Sequence, residues 1–172
     1  MTREEIKQIA ARYAAKYGLP SDFVNAVIQI ESNYNPNAYR AESGGRYSMG
    51  LMQVLRGGGA VDEFEKVHGM KSDDWYYDVE NNIKAGTWFL GSKIIDQLNH
   101  FNQPVTVRNI IIAYNAGIGN LIKGNVPSYT RVYLDKIQKA GFDIGTNPVK
   151  SGAFFFDCPC CGNRIQVSKV DQ

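Results

Sequence analysis

Apolar side chains recur at three- and four-residue intervals through most of the first 141 residues, in segments closed by glycine or proline. That spacing lines them up on one face of an α-helix, whereas a strand would need alternation. Thr2 and Glu5 make a capping box, and Ile6, Ile9, Ala10, Tyr13 and Tyr17 follow as a stripe until Gly18. After Leu19-Pro20, Ser21 offers a cap for a second helix carrying Phe23, Val24, Val27, Ile28 and Ile30, which Pro36 bars from continuing. Asp78 opens a long pattern through Val79, Ile83, Trp88, Phe89, Leu90, Ile94, Ile95 and Leu98. Two more helices are predicted, from about Val105 to Asn115 and from near Ser128 to Gly141. No pair of strand-like runs with a hairpin signal precedes residue 150, so the body reads as all-α. Residues 37–60 are glycine-rich and aperiodic and read as a long surface loop, the kind of segment that carries ligand contacts.

The sequence divides into a body over residues 1–141, a linker over 142–153 rich in Gly, Asn, Pro and Ser, and a tail over 154–172. At 172 residues there is room for one main domain and a small appendage. All three cysteines, Cys158, Cys160 and Cys161, lie in the tail, so no disulfide staples the body. A formal charge of +2 without any Lys/Arg run argues against a nucleic-acid binder. No apolar stretch approaches the roughly 20 residues that span a bilayer. The opening MTREEIKQIAARYAAKYG has acidic residues and helical spacing where a secretory signal would carry basic residues and an unbroken apolar core, so no such signal is expected.

Glu31 stands four residues after Val27, three after Ile28 and seven after Val24, on the apolar face of the second helix. Burial there would raise its pKa and keep a proton near neutrality, the requirement for a general acid. Spacing alone leaves a second reading open, in which Glu31 ends the stripe and points to solvent.

Four blocks carry a resemblance. Glu31-Ser32-Asn33-Tyr34-Asn35-Pro36-Asn37-Ala38 followed by Gly50-Leu51-Met52-Gln53, then Asn82-Ile83 with Gly86, then Ala113-Tyr114-Asn115-Ala116-Gly117, and last Thr130-Arg131 with Tyr133 and Lys136 are similar, in content and order, to the soluble lytic transglycosylases, relatives of the goose-type lysozymes. The resemblance covers roughly residues 20–137 and implies a lysozyme-like helical domain acting on peptidoglycan glycan strands, with Glu31 as catalytic acid/base and no cofactor required. It also implies that Ser32, Met52, Gln53, Tyr114, Asn115 and Tyr133 contact the sugar. The sequence departs from the pattern where the family usually has Ser and Arg40 stands here, where an acidic residue often precedes Thr-Arg and Tyr129 stands here, and in a longer loop between Ala38 and Gly50.

Most glycosidases use two carboxylates, and Glu42 is the one other acidic residue inside the loop expected to face the cleft. Where goose-type lysozymes carry water-positioning aspartates, this chain has Gly44 and Leu55. The resemblance therefore implies cleavage of the β-1,4 bond between MurNAc and GlcNAc by the substrate's own 6-hydroxyl, leaving a 1,6-anhydro end. Hydrolysis by a water that Glu42 activates, and a wall-binding module that does not cut, are the rival expectations. Access to the wall is expected through a phage lysin or virion-associated setting, or within a longer exported protein. In the tail, Cys158-Pro159-Cys160-Cys161-Gly162 resembles one knuckle of a zinc ribbon, with Cys158 and Cys161 as candidate ligands. A structural zinc site needs four ligands and no second knuckle exists, so a short β-hairpin with reduced thiols is the alternative.

Overall fold

The computed structural model describes residues 1–57, 59–70 and 73–145, together with the strands at 154–157 and 164–167. Helix α1 (Arg3–Lys16) begins at the capping box: Thr2 Oγ1 accepts from the Glu5 backbone N–H, and the Glu5 carboxylate accepts from the Thr2 N–H at 2.6 Å. Helix α2 (Ser21–Ser32) starts at its expected cap and not after it, for Ser21 is already helical and Pro20 precedes it without a side-chain bond. It ends at Asn33, whose φ of 51° is left-handed, a conformation asparagine tolerates because its short amide bonds locally.

Residues expected to form one loop hold a small antiparallel sheet instead. Strands β1 (Tyr39–Ala41), β2 (Tyr47–Met49) and β3 (Val54–Arg56) pair in that order, with Arg40 opposite Ser48 and Ser48 opposite Leu55. Strands of three residues are too short to display alternation, and neither connection is a two-residue hairpin turn, so the usual sequence signals are absent. Helix α3 (Gly59–His68) was also hidden, because the glycine run before it is a poor helix opening. Its Val61 and Phe64 are buried, and Phe64 lies 5.5 Å from the Trp88 ring.

The pattern from Asp78 resolves into α4 (Val79–Trp88), capped by the Asp78 carboxylate, a wider π-type turn over Phe89–Lys93, and α5 (Ile94–His100). Helix α6 (Val107–Ala116) is capped by Thr106, and α7 (Ile118–Ile122) and α8 (Ser128–Lys139) complete the body. The core joins Ile6, Ala10 and Ala14 of α1 to Val24, Val27 and Ile28 of α2, Ile83 of α4, Ile110 of α6 and Ile137 of α8. Each large aliphatic side chain so buried contributes roughly 1.5–3 kcal/mol.

Packing extends past Gly141, where the body was expected to end: Phe142 sits 5.4 Å from the Phe23 ring and Ile144 is buried. Two apolar side chains among Gly, Asn and Asp were masked by the linker-like composition around them. In the tail, β4 (Phe154–Asp157) pairs antiparallel with β5 (Arg164–Val167). Cys158 and Cys161, the candidate zinc ligands, lie outside the described residues. No helix among the described residues is long and apolar enough to cross a membrane.

Candidate active site

A cleft of about 730 Å³ opens between the sheet on one side and α4 and α6 on the other, with Glu31, Arg40, Glu42, Gln53, Tyr114 and Asn115 among its lining. Glu31 reaches it from the last turn of α2, with 7% of its side chain exposed. Oε1 accepts a hydrogen bond of 2.8 Å from the Tyr133 hydroxyl, and Oε2 lies 4.0 Å from Arg40 Nη1. Burial pushes the carboxyl above the ordinary carboxylate range; the Tyr133 bond, Arg40 and Lys136 oppose that, and the negative charge of Glu42 adds to it. Its place at a helix C-terminus, the negative end of the backbone dipole, acts in the same direction as burial. Glu31 is thus a partly sequestered acid with one oxygen held by a neutral donor, the arrangement a proton donor needs.

Glu42 is the opposite case. Its Oε1 accepts from Arg40 Nε at 2.7 Å and from Ser48 Oγ at 2.8 Å, and the Arg40 bond leads in holding its carboxyl below the ordinary range. Two carboxyls share one cleft with their proton affinities driven apart, the pattern by which acid and anion are told apart.

The floor of the cleft is held by amide clamps. Asn82, buried on α4, donates from Nδ2 to the carbonyls of Met49 at 3.0 Å and Tyr76 at 2.7 Å, and its Oδ1 accepts from the Met52 N–H at 2.8 Å. Gly50 has a φ of +73°, and any Cβ there would strike Asn82 and the Tyr76 carbonyl. Gln53, itself at φ 46°, donates from Nε2 to the Gly50 carbonyl at 3.0 Å and to that of Ala38 at 3.3 Å. Gln53 therefore lines the cleft while its N–H groups brace the loop.

The other expected sugar contacts divide. Tyr114 lines the cleft, but its hydroxyl donates to the Met52 carbonyl, so its ring face is the part offered to a ligand. Phe89, carried by the π-type turn, packs 5.7 Å from that ring and extends the wall. Asn115 lines the cleft with Oδ1 accepting from Thr130 at 2.7 Å, which leaves its N–H pair as the donating end. Three others stand outside the cleft lining. Ser32 donates to the carbonyls of Leu51 at 2.8 Å and Ile28 at 3.1 Å, which makes it a strut between α2 and the loop. Met52 is fully buried against Gly86, where a Cβ would fall 2.5 Å from its sulfur. Tyr133 stands behind Glu31 on α8 and is 7% exposed, a partner of the acid and not a wall of the cleft. Burial holds the Tyr133 and Tyr114 hydroxyls well above their usual range, so both stay protonated donors.

Arg40, Ser48 and Phe89 are site residues not anticipated. Arg40 was visible in sequence as a departure from the resembled pattern; nothing in the sequence placed Ser48 opposite it on β2.

Residues 8–132 match the family described as Transglycosylase SLT domain. A membrane-bound lytic murein transglycosylase C from Photorhabdus laumondii is 34% identical over 114 residues, which cover 63% of this chain and 30% of that protein. The chain therefore spans under a third of that relative. Among solved structures, the inactive mutant of the lytic transglycosylase Slt from Pseudomonas aeruginosa superposes with a TM-score of 0.62 at 21% identity, covering 83% of this chain and 25% of that one. The 70 kDa soluble lytic transglycosylase from Escherichia coli gives 0.61 at 24%, covering 77% and 23%. Both share this helical fold.

Proposed function

The chain belongs to the transglycosylase SLT domain family, and from that premise we propose that it cleaves the β-1,4 bond between MurNAc and GlcNAc in peptidoglycan without consuming water. One observation carries the proposal: the cleft holds one carboxyl whose proton affinity burial raises, Glu31, while its carboxylate neighbour among the described lining residues, Glu42, is engaged by Arg40 and Ser48. Glu31 gives its proton to the bridging oxygen as the bond from C1 to that oxygen breaks. Positive charge develops at C1, and the substrate's own N-acetyl oxygen helps stabilise it, as a second carboxylate does in other glycosidases. Glu31, now an anion, accepts the proton of the 6-hydroxyl as that oxygen bonds to C1. Its proton is restored and the sugar ends as a 1,6-anhydro ring.

Tyr133 supports both half-steps, because its hydroxyl holds Oε1 in place in either protonation state. Hydrolysis is disfavoured since a carboxylate already accepting two hydrogen bonds and held below its ordinary range is a weak base toward water. Named relatives include membrane-bound enzymes; a phage lysin or virion-associated setting, or a longer exported protein, would each bring such a domain to the wall.

The test is digestion of purified sacculi by Glu31→Gln. A fall in turnover of at least about a hundredfold is expected, the lower range for loss of a general acid, with an unaltered circular dichroism spectrum. Turnover equal to the parent's would remove Glu31 from the chemistry.

A further inference from the structure

Arg40 connects the two carboxyls of the cleft. It stands on β1 opposite Ser48; its Nε is bonded to Glu42 Oε1 at 2.7 Å while Nη1 points toward Glu31 Oε2 at 4.0 Å. Ser48 Oγ, on the neighbouring strand, holds the same Glu42 oxygen at 2.8 Å. The guanidinium is therefore anchored at one edge and leaves its other edge just beyond hydrogen-bond reach of the acid. We propose that Arg40 is a positioning residue that sets the proton affinity of Glu31, and that Glu42 is the clamp that keeps its charge at that distance.

The chemistry requires a cation that is near but restrained. Arginine stays charged at every working pH. Were it fully paired with Glu31, the carboxyl would ionise early and could not donate. With Glu42 balancing it, Glu31 keeps its raised proton affinity, and the guanidinium counts most at the moment the proton has gone and a carboxylate remains 4.0 Å away. A cation at that distance favours the charged form. Toward Glu31 the charged groups are Arg40 from β1, Glu42 from the connection that follows it and Lys136 from α8, while Tyr133 and Tyr114 stand close as neutral phenols. Only Arg40 is fixed between the two carboxyls.

The inference rests on Glu31 being the acid/base, so the experiment reads it twice. The pH profile of sacculus solubilisation is measured for the parent, Arg40→Ser, Arg40→Lys and Glu42→Gln, and the Glu31 carboxyl is titrated by carbon-13 NMR in the substrate-free proteins. Arg40→Ser should move the basic limb, where the acid is lost, to higher pH by about one unit, a cation's usual influence at this range. Glu42→Gln should move it to lower pH, since a repelling charge is lost and Arg40 is released toward Glu31. Arg40→Lys should stay near the parent, and the NMR midpoints should follow the limbs. Arg40 has 58% and Glu42 29% of its side chain exposed, so the variants keep the fold. A Glu31 midpoint that does not move, or moves the same way in Arg40→Ser and Glu42→Gln, overturns the proposal. So does an effect confined to KM, which would make Arg40 a substrate contact. NMR midpoints that shift as stated in a parent that releases no sugar would uphold the coupling and count against the transglycosylase reading alone.

Discussion

Glu31, a buried carboxyl with a raised pKa, favours the folded chain less above the ordinary carboxylate range than a neutral side chain would. An acid whose pKa is raised on folding binds its proton more tightly in the folded chain than in the unfolded one. Relative to a neutral side chain its cost is absent below the ordinary carboxylate range and grows as pH rises through the folded pKa. Glu31→Gln keeps the shape and an oxygen for Tyr133, so it should raise Tm by a few degrees near pH 7 and by little near pH 4; a domain of this size gains about 2–4 °C per kcal/mol. Thermal melts at both pH values check this, and a gain that is equal at the two, or reversed, would show that the carboxyl is not held protonated by burial. Spacing after Val24, Val27 and Ile28 left both a buried and an exposed Glu31 open, and the structure shows it buried. Its proton-setting partners were not legible in sequence, because Tyr133 is 102 residues away and no local pattern shows which face of α8 meets α2.

At the scale of elements, the site is a loop and sheet pinned to α4. Met52 lies in the notch above Gly86, and Asn82 one turn earlier on α4 holds the backbone of Met49 and Met52. A methyl group at Gly86 would meet Met52 at 2.5 Å in a place where neither side can withdraw. Gly86→Ala should therefore cost about 1–3 kcal/mol, the range for overpacked cores. Because Tyr114 holds the Met52 carbonyl, the same change should lower turnover well before the protein unfolds. Urea unfolding together with a turnover assay measures both; a stable and fully active Gly86→Ala would show that this seam does not shape the cleft. The helices were readable from their stripes and caps, with Thr2 and Asp78 each accepting the bond its position implies. The sheet was not, for pairings such as Arg40 with Ser48 depend on where α4 and the Asn82 clamp hold the chain, and not on alternation within three residues.

At the scale of the molecule, helices α1, α2, α4, α6 and α8 provide a rigid block against which a small sheet sets a cleft, and the chemistry sits at their seam. Chain-distant residues meet there: Glu31 from α2, Arg40 from β1 and Glu42 from the connection after it, Tyr114 and Asn115 from α6, with Tyr133 of α8 behind. The resemblance in four ordered blocks foretold the fold, and it pointed to Glu31, which lines the cleft at that seam. Ser32 and Met52, equally part of the blocks, hold the backbone and lie outside the cleft lining, as does Tyr133 behind the acid. A single carboxyl acting first as acid and then as base leaves no role for water, and the sugar ends record that directly. Mass spectrometry of the glycan fragments released from purified sacculi by the intact chain should find 1,6-anhydro-MurNAc ends; ends heavier by one water would mean hydrolysis and contradict the assignment of both proton transfers to Glu31.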